Sequence, residues 1–253
     1  MTALAGKRAL VTGGGSGLGA AIALALAEAG ASVVIAGRRV DALRTVAAKS
    51  ANITLYAADV TDELSVGRLF EHIGKAVGGL DIAVANAGAA VSASFRGTSL
   101  EAWRAQLDVN LTGVFLTFQH ALGLMPKDGG GRLIAIASTA ALKGYPYVAP
   151  YCAAKHGVLG LTRSLAAELA RSSITVNAIC PGFAETPLLE HSLATIMAKT
   201  GKSRQQAEVA LKAANPQGRF VQPPEIAQAV LWLCGPNSDS VTGQAISVSG
   251  GEI

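Results

Sequence analysis

The sequence predicts an α/β fold in a single domain, and three observations lead to this prediction. Short apolar runs typical of buried strands alternate with longer helical patterns along most of the chain. The 253 residues are 50% hydrophobic and 15% charged, which is enough for one large core without a second domain. The 29 glycines are spread along the chain, as expected where tight turns join many strands and helices.

The predicted elements follow one another in alternation. Predicted strands occupy residues 7–12, 32–36, 53–57, 81–85, 132–137, 174–180 and 245–248. Predicted helices occupy residues 20–29, 63–77, 100–125, 151–169 and 223–234. Within the third helix, Asn110 and Gly113 predict a local distortion. Residues 128–131 predict a surface turn, and residues 188–214 interrupt the alternation with a helical pattern that we interpret as a lid over the substrate.

The composition excludes several classes of protein. No apolar run reaches membrane-spanning length and residues 1–7 lack a signal-peptide core, so we expect a cytoplasmic protein without membrane contacts. Three widely spaced cysteines without a Cys-x-x-Cys pair argue against disulfides and against a zinc site, and no metal is expected. The net charge of +4 is mild, and no basic tract predicts a nucleic-acid partner.

A glycine-rich loop follows the first predicted strand. It has the spacing Gly-x-x-x-Gly-x-Gly at Gly13, Gly17 and Gly19, with Ser16 and Leu18 between them, and an alanine-rich helix comes next. Glycines let the backbone approach a pyrophosphate, and a helix N-terminus offers free N–H groups and a positive dipole end. The loop therefore predicts a dinucleotide site, although by itself it is also compatible with a plain turn.

The residues after the second predicted strand indicate which dinucleotide is bound. An acidic residue there holds the ribose 2′-hydroxyl of NAD, whereas an arginine accepts the 2′-phosphate of NADP. Here Arg38 and Arg39 follow Gly37, and no carboxylate occurs until Asp41. Because guanidinium groups pair with phosphate in a bidentate, charge-assisted way, NADP(H) is preferred and NAD(H) is possible. The alternative is two solvated surface arginines.

Polar residues end the third and fourth predicted strands. Asp59 either hydrogen-bonds an adenine amino group or caps the helix that begins near Asp62. Asn86 ends an apolar strand, so we expect it to join neighbouring strand ends rather than contact substrate.

Ser138, Tyr151 and Lys155 form a predicted proton-transfer device. Ser138 follows a strand, while Tyr151 and Lys155 lie four residues apart on a predicted helix and so share one face. A free phenol has a pKa near ~10 and is a poor acid or base at neutrality. A cation about 4 Å away contributes roughly 4 kcal/mol at an effective dielectric of about 20, which lowers that pKa by about three. Tyr-x-x-x-Lys alone is also compatible with an ordinary amphipathic helix.

From about residue 6 onwards the sequence resembles the classical short-chain dehydrogenase/reductase family. The matching residues are Thr12-Gly13-x-x-x-Gly17-x-Gly19, Asp59, Asn86-Ala87-Gly88, Asn110, Ser138, Tyr151-x-x-x-Lys155, Asn177, Pro181-Gly182 and Thr186. Each is weak alone, but the set in this order and spacing is specific. The resemblance implies a Rossmann fold, a doubly wound seven-stranded parallel sheet with helices on both faces, and a homotetramer.

The resemblance also implies a role for each matching residue. Tyr151 is the general acid in reduction and Ser138 hydrogen-bonds the carbonyl oxygen. Lys155 holds the nicotinamide ribose and depresses the phenol pKa, and Asn110 supports a water relay behind it. The cofactor-binding positions are Gly13, Ser16, Gly17, Leu18, Gly19, Arg38, Arg39, Asp59, Val60, Asn86, Ala87, Gly88, Tyr151, Lys155, Pro181, Gly182 and Thr186.

Three functions remain open at this point. The first is a reductase of a 3-oxoacyl thioester, because the lid and residues 216–220 resemble 3-oxoacyl-thioester and polyketide ketoreductases. Four cations of the lid either contact the phosphates of the carrier or lie on a solvated face. These cations are Lys199, Lys202, Arg204 and Lys212. The second is a dehydrogenase of a hydrophobic cyclic or aryl secondary alcohol, with Tyr147 beside the predicted substrate pocket. That pocket consists of Ala140, Tyr145, Phe183 and Leu188. The third is a non-catalytic, cofactor-sensing protein.

Overall fold

The computed structural model describes residues 3–126 and 130–253, and within these residues seven strands form one sheet in the order β3-β2-β1-β4-β5-β6-β7. The strands are β1 Arg8–Thr12, β2 Ser32–Gly37, β3 Ile53–Ala57, β4 Ile82–Ala85, β5 Gly131–Ile136, β6 Ile174–Pro181 and β7 Ala245–Val248. The helices are α1 Gly17–Glu28, α2 Val40–Ala47, α3 Glu63–Val77, α4 Leu100–Leu107, α5 Gly113–Leu122, α6 Ala149–Glu168, α7 Pro187–Thr200, α8 Arg204–Lys212 and α9 Pro223–Cys234. The predicted doubly wound, seven-stranded α/β fold is confirmed.

All ladders of the sheet are parallel, and both of its faces are covered by helices. Alternate residues of β5 enter two separate cores. Leu133 packs in the cluster that contains Phe118 of α5, and Ile134 packs in the cluster that contains Ile22 of α1. A strand buried on both faces must be apolar throughout, which explains the continuous apolar runs in the sequence.

The strand order reverses between β1 and β4, and this position fixes where a ligand can bind. The chain runs outward from β1 to β2 and β3, and then returns to the other side of β1 at β4. In open parallel sheets the connections diverge at such a point and leave a crevice at the carboxyl ends of the strands. Both the glycine-rich loop and the residues after β4 lie there.

The predicted helix at 100–125 is divided, as its Asn and Gly suggested. α4 and α5 are separated by a π-helical turn at Asp108–Thr112. Asn110 Nδ2 donates to the carbonyl of Gln106 at 3.0 Å, which satisfies a backbone acceptor inside the wider turn. Gly113 packs closely, because an added Cβ would lie 2.8 Å from Val60 Cγ2.

One observed helix was not predicted, and one predicted turn lies partly outside the described residues. α2 was not predicted, because this helix has only 8 residues and buries only Leu43 and Val46. The predicted turn at 128–131 lies partly outside the described residues, which resume at Gly130.

The segment predicted as a lid consists of α7 and α8. Gly201, at a φ of 69°, ends α7, and Ser203 starts α8 with a capping box. Leu189, Leu193, Ala207 and Phe220 form a small core that is separate from the two cores of the sheet. Leu188, at the start of α7, faces the crevice.

Among residues 3–126 and 130–253, no helix combines the length and apolar character needed to cross a bilayer. The same residues contain no group of His, Cys, Asp or Glu that could hold a metal ion. Cys152, Cys180 and Cys234 are buried free thiols.

Candidate active site

A cleft of about 530 Å³ lies at the carboxyl ends of the strands and brings most of the predicted site residues together. The predicted residues that line it are Gly13, Ser16, Gly17, Leu18, Arg38, Arg39, Asp59, Val60, Asn86, Ala87, Gly88, Asn110, Tyr151, Lys155, Thr186 and Leu188. His191 also lines it and was not predicted, although it lies one helical turn after Leu188 on α7. A second cavity of about 540 Å³ opens at the other end of the sheet, where Arg132 pairs with Asp239.

The glycine-rich loop fits a dinucleotide pyrophosphate. A Cβ on Gly13, whose φ is +67°, would lie 2.9 Å from Ala87 Cα, and one on Gly19 would lie 2.3 Å from the Gly13 carbonyl oxygen. No side chain can occupy either position, so glycine is required for the loop to pack against the segment after β4 and for α1 to begin so close to β1. The first N–H groups of α1 and its positive dipole end are available to an anion there.

Two arginines stand at the adenosine end of the cleft. Arg39 Nη2 donates to Ser16 Oγ at 2.8 Å, so Ser16 connects the glycine-rich loop to the segment after β2. The Arg38 side chain is 74% exposed, and its guanidinium lies 3.7 Å from Asp59 Oδ2. This ion pair is long, so the guanidinium can turn towards a phosphate. A site with two guanidinium groups at this position fits a 2′-phosphate.

Asp59 does not cap the helix after β3. Its Oδ1 accepts from Thr61 N at 3.0 Å and from Thr61 Oγ1 at 2.8 Å, while Asp62 caps α3 by accepting from Leu64 N. Burial alone would raise the pKa of Asp59, but the two hydrogen bonds from Thr61 and the charge of Arg38 hold it below its usual value. The carboxylate therefore stays ionised beside the cleft.

Asn86 joins the ends of β1 and β4, as predicted. Its Nδ2 donates to the Thr12 carbonyl at 2.9 Å, and its backbone N–H donates to Thr12 Oγ1 at 3.0 Å. The Ala87 N–H donates to the same hydroxyl at 3.1 Å. These bonds hold the segment after β4 against the glycine-rich loop.

Lys155 and Asn110 both lie close to Gly88. Lys155 is 3% exposed, and its Nζ donates to the Ile136 carbonyl at 2.8 Å. Asn110 holds Ala89 by accepting from its N–H at 3.2 Å and donating to its carbonyl at 2.8 Å. A Cβ on Gly88 would lie 2.8 Å from Asn110 Oδ1 and 3.8 Å from Lys155 Nζ. The Asn110 amide and the Lys155 ammonium therefore both border Gly88.

Burial is the largest influence on the pKa of both Tyr151 and Lys155. Burial raises the pKa of Tyr151 to about 12, although the nearby Ser138 hydroxyl acts to lower it. Burial lowers the pKa of Lys155 to about 8. The expectation that Lys155 depresses the phenol pKa is not met in this arrangement, because the ammonium lies 5.6 Å from the Tyr151 ring centroid and bonds a carbonyl instead. A phenol that lines the cleft and stays protonated at neutral pH can donate its proton.

Of the four residues of the predicted substrate pocket, Leu188 is among those that line the cleft, whereas Ala140, Tyr145 and Phe183 are not. Leu188 is 41% exposed and lines the cleft. The Tyr145 and Phe183 rings pack edge to face with centroids 6.0 Å apart. The Ala140 prediction is wrong for this conformation, because its side chain is only 2% exposed and lies in the 3₁₀ turn after Ser138.

The loop after β6 approaches the cleft from the lid side. Pro181 ends β6, and the Gly182 N–H donates to the Val248 carbonyl at 3.1 Å. Thr186 caps α7 by accepting from Leu189 N at 3.4 Å. A Cβ on Gly17 would lie 3.3 Å from Thr186 Cβ, so the lid base and the glycine-rich loop nearly touch.

The fold and the site together define a dinucleotide-dependent oxidoreductase. The chain belongs to the short-chain dehydrogenase/reductase family, and the matching family model, described as enoyl-(acyl carrier protein) reductase, spans residues 13–252. The predicted family and enzyme class are confirmed, which sets aside the non-catalytic alternative.

Similar proteins act on different ketones and alcohols. The chain is 37% identical to a 3-oxoacyl-(acyl-carrier-protein) reductase of Aquifex aeolicus over 98% of both proteins. It is 38% identical to a cis-4-hydroxycyclohexanecarboxylate dehydrogenase of Sinomonas cyclohexanicum, over 98% of this chain and 97% of that protein. A variant of actinorhodin polyketide ketoreductase crystallised with NADPH superimposes with a TM-score of 0.94 at 37% identity, over 97% of both chains. The predicted ketone–alcohol oxidoreductase class agrees with all three.

Proposed function

We propose that this enzyme reduces a 3-oxoacyl thioester to the 3-hydroxyacyl thioester with NADPH. The observation that carries the proposed ketone reduction is the convergence of Asn110, Tyr151 and Lys155 on one cleft that Arg38 and Arg39 also line, with Ser138 next to Tyr151. The relatives named as 3-oxoacyl and polyketide ketoreductases support the substrate class.

The proposed roles are those that the family resemblance implies, and they agree with the position of Tyr151, Lys155 and Asn110 along the cleft. NADPH, when bound, supplies the hydride that reduces the carbonyl carbon. Tyr151 donates its hydroxyl proton to the developing alkoxide, and Ser138 hydrogen-bonds the same oxygen. Lys155 orients the nicotinamide ribose and holds a positive charge near the phenol. Asn110 fixes the segment at Ala89 that passes beside the lysine.

The charge of the lid gives little support to a phosphorylated carrier. Arg204 forms a bidentate pair with Glu190 at 2.7 Å for both contacts, and it also bonds Glu208 at 2.9 Å. Lys212 lies 3.3 Å from Glu208, and Lys199 donates to the Ser92 carbonyl at 2.9 Å. Three of the four predicted cations are thus engaged within the protein, so the thioester proposal rests on the relatives.

Changing Arg204 to alanine should affect all substrates alike. The guanidinium ties α8 to α7, so its loss should loosen the lid rather than remove a phosphate contact. We expect KM for acetoacetyl-CoA and for ethyl acetoacetate to rise together, by up to about fivefold, since exposed ion pairs contribute little. Lys202→Ala is the matched control, because Lys202 is exposed and has no ion pair among the described residues. A rise confined to acetoacetyl-CoA would restore the phosphate interpretation.

A dehydrogenase of a cyclic secondary alcohol is the second candidate function. Leu188 supplies apolar surface to the cleft, and the Sinomonas relative is named for a cyclohexane alcohol. Turnover of acetoacetyl-CoA, ethyl acetoacetate and cyclohexanol, with both NADP(H) and NAD(H), separates the candidates. We expect the highest kcat/KM for acetoacetyl-CoA with NADPH. A higher kcat/KM for cyclohexanol oxidation would overturn the thioester proposal.

We also propose a cytoplasmic homotetramer in which each chain is one domain with residues 188–214 as its lid. Family resemblance suggests the tetramer, and two exposed apolar positions support it. Phe115 on α5 is 43% exposed and Trp232 on α9 is 52% exposed. Two such faces on different sides of a subunit suit an assembly with two kinds of contact. Sedimentation velocity measures the state directly, and a monomer at micromolar concentration would contradict it.

A further inference from the structure

Glu252 carries a buried carboxylate that the reaction described above does not use. Its side chain is only 1% exposed, and Oε1 accepts from Lys143 Nζ at 2.8 Å and from the Tyr145 hydroxyl. Oε2 is buried and has no hydrogen-bond partner among the described residues. Buried carboxylate oxygens are nearly always paired, because an unpaired one costs stability. The position of Glu252 therefore requires an explanation other than stability.

Two glycines bring Glu252 back towards the sheet after β7. Gly250 and Gly251 have φ values of +65° and +90°, which reverse the chain direction. A Cβ on Gly250 would lie 2.0 Å from Asn215 Oδ1, so no other residue fits there. The turn places Glu252 Oε2 only 3.3 Å from where a Cβ on Gly182 would be. The carboxylate thus lies against the loop that follows β6.

The partners of Glu252 lead to the catalytic serine. Tyr145 shares a 2.6 Å hydrogen bond with Thr139 Oγ1, and Thr139 directly follows Ser138. Ser138 Oγ accepts from Ala140 N at 3.1 Å and caps the short turn that Thr139 begins. Burial, followed by the hydrogen bond to the Glu252 carboxylate, raises the pKa of Tyr145 above its usual value, so its hydroxyl stays a donor.

We propose that Glu252 is a positioning residue for the reduction. Glu252 bonds Tyr145, which in turn bonds Thr139, and this chain of contacts fixes the loop that carries Ser138. The carboxylate also lies against Gly182, and it thereby sets the position of the Ser138 loop relative to the loop after β6. The inference rests on the proposed role of Ser138. Glu252 itself is too deeply buried to touch substrate, and it acts through Tyr145.

Three variants test this proposal kinetically. Glu252→Ala removes the acceptor, Tyr145→Phe removes the donor, and Glu252→Gln keeps an acceptor oxygen without the charge. We expect the first two to lower kcat/KM for ethyl acetoacetate about tenfold, the equivalent of 1.4 kcal/mol, while the dissociation constant of NADPH is unchanged. Glu252→Gln should retain most of the activity. The double variant Glu252→Ala/Tyr145→Phe should be no worse than Glu252→Ala alone, because Glu252→Ala already breaks the link through Tyr145.

Glu225→Ala is the matched control. Glu225 forms a bidentate pair with Arg219, both contacts at 2.7 Å, so its loss should lower the melting temperature without changing kcat/KM. Hydrogen–deuterium exchange of residues 139–148 provides a readout that needs no turnover. Exchange there should quicken in Glu252→Ala and Tyr145→Phe but not in Glu225→Ala.

Two outcomes would overturn the proposal. Unchanged exchange at 139–148 in Glu252→Ala would show that the carboxylate does not hold the loop, whether or not any ketone is reduced. Faster exchange with an unchanged kcat/KM would show that the link is structural only. Failure of the wild-type enzyme to reduce acetoacetyl-CoA, with ethyl acetoacetate still reduced, would reject the thioester substrate and leave the positioning role intact.

Discussion

Replacing Tyr151 with phenylalanine is expected to lower kcat by ~10²–10⁴-fold, the range typical of positioned acid–base catalysis. The substitution removes only the hydroxyl that donates the proton and leaves the ring in place. Because burial raises the pKa of this phenol to about 12, the donor is protonated at neutral pH and suits reduction. Turnover of a saturating ketone with NADPH gives kcat, and NADPH fluorescence gives the dissociation constant, which should be nearly unchanged.

A matched substitution isolates the chemical role of this hydroxyl. Tyr56 lies on β3 and packs on His72 with ring centroids 4.7 Å apart, so Tyr56→Phe removes a hydroxyl outside the cleft. It should leave kcat unchanged. If Tyr151→Phe kept more than about a tenth of the wild-type kcat, another group would have to supply the proton.

Changing Arg38 to aspartate should reverse the cofactor preference. The substitution removes a phosphate partner and introduces an acceptor for a ribose hydroxyl. Loss of a charge-assisted hydrogen bond costs roughly 1.5–3 kcal/mol, so the affinity for NADPH should fall by about tenfold to over a hundredfold. The affinity for NADH should rise. Fluorescence titrations of both cofactors measure the two changes.

The control for Arg38 must carry the same change in charge. Arg68 is exposed on α3 and lies 4.0 Å from Asp62, so Arg68→Asp alters the net charge equally outside the cleft. Its NADPH affinity should stay within about twofold of wild type, since exposed charges are screened by salt. A wild-type preference for NADH, or an Arg38→Asp variant with full NADPH affinity, would disprove the assignment.

Apart from the short helix α2, the sequence alone predicted the helices and strands, which depend on neighbours in the chain. The spacing of Tyr151 and Lys155 places both on one face of α6, and the glycine-rich loop begins α1 as predicted. The apolar runs identified all seven strands, and the signal is most continuous in inner strands such as β1 and β4, which are buried on both faces. Even the distortion at Asn110 was visible, since Asn and Gly disfavour a helix interior.

Only the tertiary structure decided the features that depend on residues distant in sequence. The sign of the Tyr151 pKa shift depends on how deeply the phenol lies, which spacing cannot reveal. Arg204 looked like a free cation until its bidentate pair with Glu190 was seen, fourteen residues earlier in the chain. The Tyr145 hydroxyl donates to Glu252, 107 residues away in the sequence. Burial and ion pairing arise when distant segments pack together, and therefore no local pattern encodes them.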